Sequence, residues 1–126
     1  MNQKGFATLE IILMVMVIGI LATMAVPQFE KITAAANTSK VQSDLAAINT
    51  AVAVYQMEKG TIPTYTDLTA NGTTYFENGV PQPPTGKIYI SGAVTDIGTT
   101  GYNIDGDGNA TFNGKTAEYF TSKSKT

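Results

Sequence analysis

Cysteine, histidine, arginine and tryptophan are all missing from this chain. Each absence removes a kind of chemistry. Without Cys there is neither a disulfide framework nor a thiolate metal site, so packing alone must hold the fold. Without His, catalysis would have to run through carboxylates, Lys, Tyr or Ser, and no such constellation occurs, so no enzyme is expected. Eight Lys against ten acidic residues give a net charge of −2 and no basic stripe of the kind that nucleic-acid phosphates require. A dedicated nucleic-acid site is therefore not expected. The 126 residues suffice for one small domain with a modest core, without internal repeats or a linker to a second.

What the chain does have is one long apolar run. From Phe6 to Val26, inside "KGFATLEIILMVMVIGILATMAVP", the only ionisable side chain is Glu10. A helix rising about 1.5 Å per residue spans a hydrocarbon core of roughly 30 Å in that distance. The short start "MNQKG" does not fit the usual secretory signal, and Lys4 holds its end on the cytoplasmic side, which sends the rest outward. A signal anchor with a stray charge is the plain reading. Against it stands the cost of an acidic residue in lipid, about 2.5–3.5 kcal/mol at the centre and less near an end. A cut after Gly5 supplies a partner, because the new α-amino group of Phe6 has a reference pKa near 8. That amine lies about 6 Å along the axis from Glu10, so a neighbouring subunit shifted by the same distance brings the two together.

Gly5, then Phe6, with Glu10 five places into the cut chain and Gly19 and Pro27 farther along the helix, resemble the class III prepilin signal of type IV pilins and type II secretion pseudopilins. The resemblance covers about the first third of the chain. It implies a leader of residues 1–5, cleavage between Gly5 and Phe6 by a dedicated prepilin peptidase, N-methylation of Phe6, and a role for Glu10 in assembly and register. It implies a homopolymer, a helical filament built with the help of an assembly platform and an ATPase. The precursor would cross the inner membrane once, and the filament would be extracellular or span the periplasm. One departure is that the family often reads Phe-Thr-Leu-Ile-Glu where this chain has "FATLE", which moves the threonine to Thr8 and keeps the spacing. Pro27 has no N–H for the carbonyl of Thr23, and Gly19 is a weak helix former. In the family reading the segment from Gly19 to Pro27 extends during assembly; the alternative is an incidental membrane-helix proline.

Beyond Pro27, apolar residues recur at Val41, Leu45, Ile48, Val52 and Tyr55, while Lys40, Gln42, Asp44, Asn49 and Gln56 occupy other faces. This spacing predicts an amphipathic helix that ends at Lys59 and Gly60, with Pro63 just beyond. A coiled coil would need more heptads and more flanking charge. After Gly60 the composition turns to Thr, Gly, Asn, Pro and Tyr. "KIYIS" (residues 87–91), "YNID" (102–105) and "NATF" (109–112) read as short strands, the last two joined by "GDG", and "VPQPPTG" as a connector. The expected fold is α+β, a pilin fold with a long N-terminal helix on a small antiparallel sheet that buries Ile88, Ile90, Tyr102, Ile104 and Phe112. The expected parts are a leader (1–5), a hydrophobic membrane and assembly helix (6–28) and a head (29–126), with "TSKSKT" fraying at the end.

Asp105, Asp107 and Asn109 repeat the first three ligand positions of an EF-hand calcium loop. The continuation departs from it, with Ala110 for the turn glycine and Thr116 for the bidentate Glu. A plain Asp/Gly hairpin turn is the favoured reading, calcium the alternative, and no other cofactor is expected. "NTS", "NGT" and "NAT" at Asn37, Asn71 and Asn109 match a glycan-acceptor pattern that chance explains in so Asn- and Thr-rich a chain. The expected function is the major pilin of a type IV filament. The alternatives are a major pseudopilin of type II secretion or DNA uptake, and a monomeric membrane-anchored binding module that keeps its leader.

Overall fold

A computed structural model describes residues 3–70 and 75–124. The chain divides into two compact units, Met1–Ile32 and Thr33–Thr126. Helix α1, Gln3–Lys59, runs through both and keeps its helical assignment across Gly19 and Pro27. Within the first unit the large apolar side chains from Phe6 to Ile32 are all half exposed or more. Water is a poor solvent for such a surface, so a bilayer or other apolar helices must cover it. Among the described residues, α1 is the one helix long and apolar enough to cross a membrane.

The second unit is the head, and its core forms on the stripe read from the sequence. Val41, Leu45 and Ile48 are fully buried, Val52 nearly so, and Tyr55 packs at the edge. Burying each aliphatic side chain is worth about 1.5–3 kcal/mol. The helix stops where expected: Gly60 takes φ +73°, where glycine has no Cβ penalty, and its N–H donates to the Gln56 carbonyl at 2.8 Å. Pro63 is buried. A short helix α2, Tyr65–Thr69, follows, an element absent from the sequence expectation. Its capping box is Thr64 with Asp67: the Thr64 hydroxyl accepts from Asp67 N–H, and the Asp67 carboxylate accepts from Thr64 N–H. Those bonds hold the Asp67 carboxyl below its usual pKa, and α2 drives Leu68 into the core.

The antiparallel strands form two separate hairpins rather than one continuous sheet. Strand β1 (Lys87–Ile90) pairs with β2 (Ala93–Asp96) in the register Ile88 to Thr95 and Ile90 to Ala93. Strand β3 (Tyr102–Ile104) pairs with β4 (Ala110–Phe112), Asn103 opposite Thr111. A single 3-10 turn, Ala117–Tyr119, leads to the end of the described chain. Strand β2 is absent from the sequence expectation, because Ser91 reads as strand; Ser91 and Gly92 in fact form the turn, with φ +48° and +87°. Ile88, Tyr102 and Phe112 are buried as expected, whereas Ile90 and Ile104 only flank the core. Leu68, Phe76, Ile97 and Phe120 complete it. Ring centroids of Tyr102 and Phe112 lie 5.2 Å apart and those of Phe112 and Phe120 5.7 Å.

Polar side chains beside the stripe do more than face solvent. Asn37 donates to the carbonyls of Thr85 and Lys87, and Thr38 Oγ1 accepts from Tyr89 N–H at 3.0 Å. These bonds satisfy the outer edge of β1, which would otherwise stay open for pairing. Asn49 Oδ1 does the same for Ala110 N–H on β4, at 2.7 Å.

Candidate assembly surface

The predicted processing and assembly residues all fall on α1. Gly5 opens on empty space, Phe6 is exposed, and Glu10 lies one turn beyond it on the same helix. Thr8, displaced from its usual family position, donates its hydroxyl to the Lys4 carbonyl at 2.9 Å. Met1 and Asn2, part of the predicted leader, lie outside the described residues.

Glu10 borders a shallow apolar groove of about 410 Å³ with Leu13, Met14, Val17 and Ile18. These positions are three, four, seven and eight residues on, one face of a helix. Glu10 has no salt-bridge partner among the described residues. The surface therefore offers apolar packing along its length and, at one end, a single carboxyl side chain without a salt-bridge partner among the described residues. Chemically it can bind a second apolar helix that carries a positive charge at matching height.

Gly19 and Pro27, read as flexible points, are helical here. Close by, Thr23 donates its hydroxyl to the Ile20 carbonyl at 2.7 Å, a local bond of the kind that bends helices.

The loop of Asp105, Asp107 and Asn109 is knit by the first of these residues. Asp105 Oδ1 accepts from Asp107 N–H at 3.0 Å and Asn109 N–H at 2.8 Å, while Oδ2 accepts from the Asn109 amide at 3.2 Å. The Asn109 bond, the larger influence, and the Asp107 bond hold the Asp105 carboxyl below its ordinary range. Among the described residues no three His, Cys, Asp or Glu side chains converge as a metal would need. Of the glycan-pattern residues, Asn37 and Asn109 are engaged in these internal hydrogen bonds, and Asn71 lies outside the described residues.

A polar cluster in the head has no counterpart among the sequence-based candidates. Tyr102 donates its hydroxyl to Asp44 Oδ2 at 2.5 Å, and Lys40 reaches the same oxygen and the Gln82 carbonyl. Burial, then the Asp44 bond, pushes the Tyr102 hydroxyl well above the usual tyrosine pKa. The spacing of four between Lys40 and Asp44 is the one local signal of it.

Pilins and a pseudopilin resemble this chain well beyond its first helix. Over 71 residues, 56% of its length and 61% of the relative's, it is 37% identical to the type IV narrow pilus major component PilA5 of Thermus thermophilus. Over 107 residues, 84% of its length and 65% of the relative's, it is 32% identical to the type IV major alpha-pilin of Moraxella bovis. It is also 31% identical over 88 residues, 70% of its length and 59% of the relative's, to the type II secretion system core protein G of Klebsiella michiganensis. The chain spans less than two thirds of the length of these relatives. No family model matches it, and no solved structure does.

Proposed function

We propose that this chain, a homologue of type IV pilins and of the type II secretion pseudopilin core protein G, is the major structural subunit of a type IV pilus filament. The observation that carries the reading is Glu10, a carboxylate without a salt-bridge partner among the described residues, on an otherwise apolar, exposed face. A prepilin peptidase cuts between Gly5 and Phe6 and the new terminus is methylated. The amine formed at Phe6 then meets Glu10 of the adjacent copy. The same surface repeats by rotation and rise without closing, which gives a helical polymer.

Apolar packing between helices supplies most of the cohesion, and the ion pair mainly fixes register, because a buried pair gains little beyond its own desolvation. Before assembly α1 holds the subunit in the inner membrane with the head outside; an assembly platform and ATPase do the mechanical work. The subunit itself catalyses nothing. Gly19 and Pro27 let the intervening segment extend as the subunit leaves the bilayer, and hydrogen exchange there should be faster in the filament than in the membrane.

Mass spectrometry of the native protein, with electron microscopy of sheared surface fibres, tests the proposal. A chain starting at N-methylated Phe6, found in fibres, is expected. An intact Met1 without fibres would instead favour the monomeric anchored module. The similarity to core protein G favours one second reading, a pseudopilus that spans the periplasm, for which the cleaved chain would occur without surface fibres.

A further inference from the structure

Residues 121–126 were expected to fray, yet Thr121, Lys123 and Ser124 lie against the turn between β1 and β2; Lys125 and Thr126 lie outside the described residues. Ser91 N–H donates to the Tyr119 carbonyl at 2.7 Å, and Gly92 N–H to the Thr121 carbonyl at 2.9 Å. Between them the Phe120 carbonyl accepts from the Gln42 side chain on α1, and the Phe120 ring is fully buried beside Phe112. Three successive carbonyls therefore hold two different elements, the hairpin turn and the helix.

Gly92 shows how close this contact is. It takes φ +87°, and a Cβ built there would stand 2.8 Å from Ser124 N and 3.1 Å from the Lys123 carbonyl carbon, both main-chain atoms that cannot swing aside. Glycine is thus required at this turn twice, for its backbone conformation and for the strand of chain above it. Gly98 provides the contrast, with φ +72° and open space where its Cβ would be.

We infer that residues 119–124 form a closing strap, which fastens the β1–β2 turn to α1 and does in this cysteine-free head what a covalent cross-link does elsewhere. The other end of the hairpin is already tied to α1 through Asn37 and Thr38. The strap makes the hairpin a fixed part of the head rather than a two-stranded flap, which alone is marginal in water.

Amide hydrogen exchange on the full-length protein in detergent micelles, read at individual residues, tests it. Gly92→Ala should speed exchange at Ser91 by about tenfold or more, while the Ile97 and Gly60 amides keep their rates. Gly98→Ala, with the same backbone strain but nothing to strike, should leave Ser91 unchanged. A chain ending at Phe120 keeps the aromatic anchor and should lose protection at Gly92. Equal Ser91 rates in the two glycine variants, or an unaltered Gly92 amide in the shortened chain, would overturn the strap.

Discussion

Tyr102 and Asp44 are joined across the head, hydroxyl to carboxylate at 2.5 Å, strand β3 to helix α1. Tyr102 is nearly buried, and the Asp44 side chain is only 16% exposed. Removing the hydroxyl in Tyr102→Phe should cost about 1.5–3 kcal/mol at neutral pH, the range for a hydrogen bond to a charged group. The effect also has a sign in pH. The folded state raises this acid's pKa, so its contribution is complete below the unfolded value near 10 and is lost as pH climbs toward the folded one. Spectrophotometric titration should show one tyrosine ionising together with alkaline unfolding, and Tyr102→Phe should lack that step.

The Asp105 turn should respond at the opposite end of the scale. Its folded pKa is depressed, chiefly by the Asn109 bond, so its stabilisation is present above the unfolded value near 4 and fades as pH falls through the folded value. The stability gap between the wild type and Asp105→Ala, measured by urea unfolding, should therefore be larger at pH 7 than at pH 3. If added calcium widened that gap at neutral pH, the loop would be a metal site as well as a turn.

Leu45 sits at the centre of the helical stripe with no exposed surface. Leu45→Ala should destabilise the head by about 2–5 kcal/mol, through lost burial and the cavity left behind. Thermal unfolding of the full chain in micelles measures it, and Thr50→Ala, whose side chain is exposed on another face, is the control.

Glu10→Ala should leave cleavage after Gly5 intact and sharply reduce filament yield, scored by immunoblot of the processed chain and by electron microscopy. Glu10→Gln tests charge against shape: if register needs the ion pair, this variant fails as well. Normal filaments from both would remove the role proposed for this carboxylate.

The helix and its buried stripe were legible because a 3-4 spacing sustained over several turns is the period of one helical face, which no strand reproduces, and Lys59 with Gly60 marks a physical stop. Strand β2 was harder: "AVTD" is exposed throughout, so it lacks the apolar alternation that announces a half-buried strand. The pair Ser91 and Gly92 was its one advertisement. Asn37, Thr38 and Asn49 tie the two hairpins to α1 through bonds that reach strands about 50 or 60 residues away. No local pattern encodes such a reach. Glu10 stands out for the opposite reason, since one acid in an apolar run is conspicuous without any tertiary information.

The bond between Gln42 and Phe120 spans 78 positions. A chain emerging from its N-terminus has α1 and both hairpins available before the aromatic residue that fills the space beside Phe112 arrives. Closure of the head thus waits until Phe120 is delivered, and a chain cut short of that residue keeps a greasy cleft that chaperones and proteases can recognise. Delivery of Phe120 is, in this sense, inspected by the core itself.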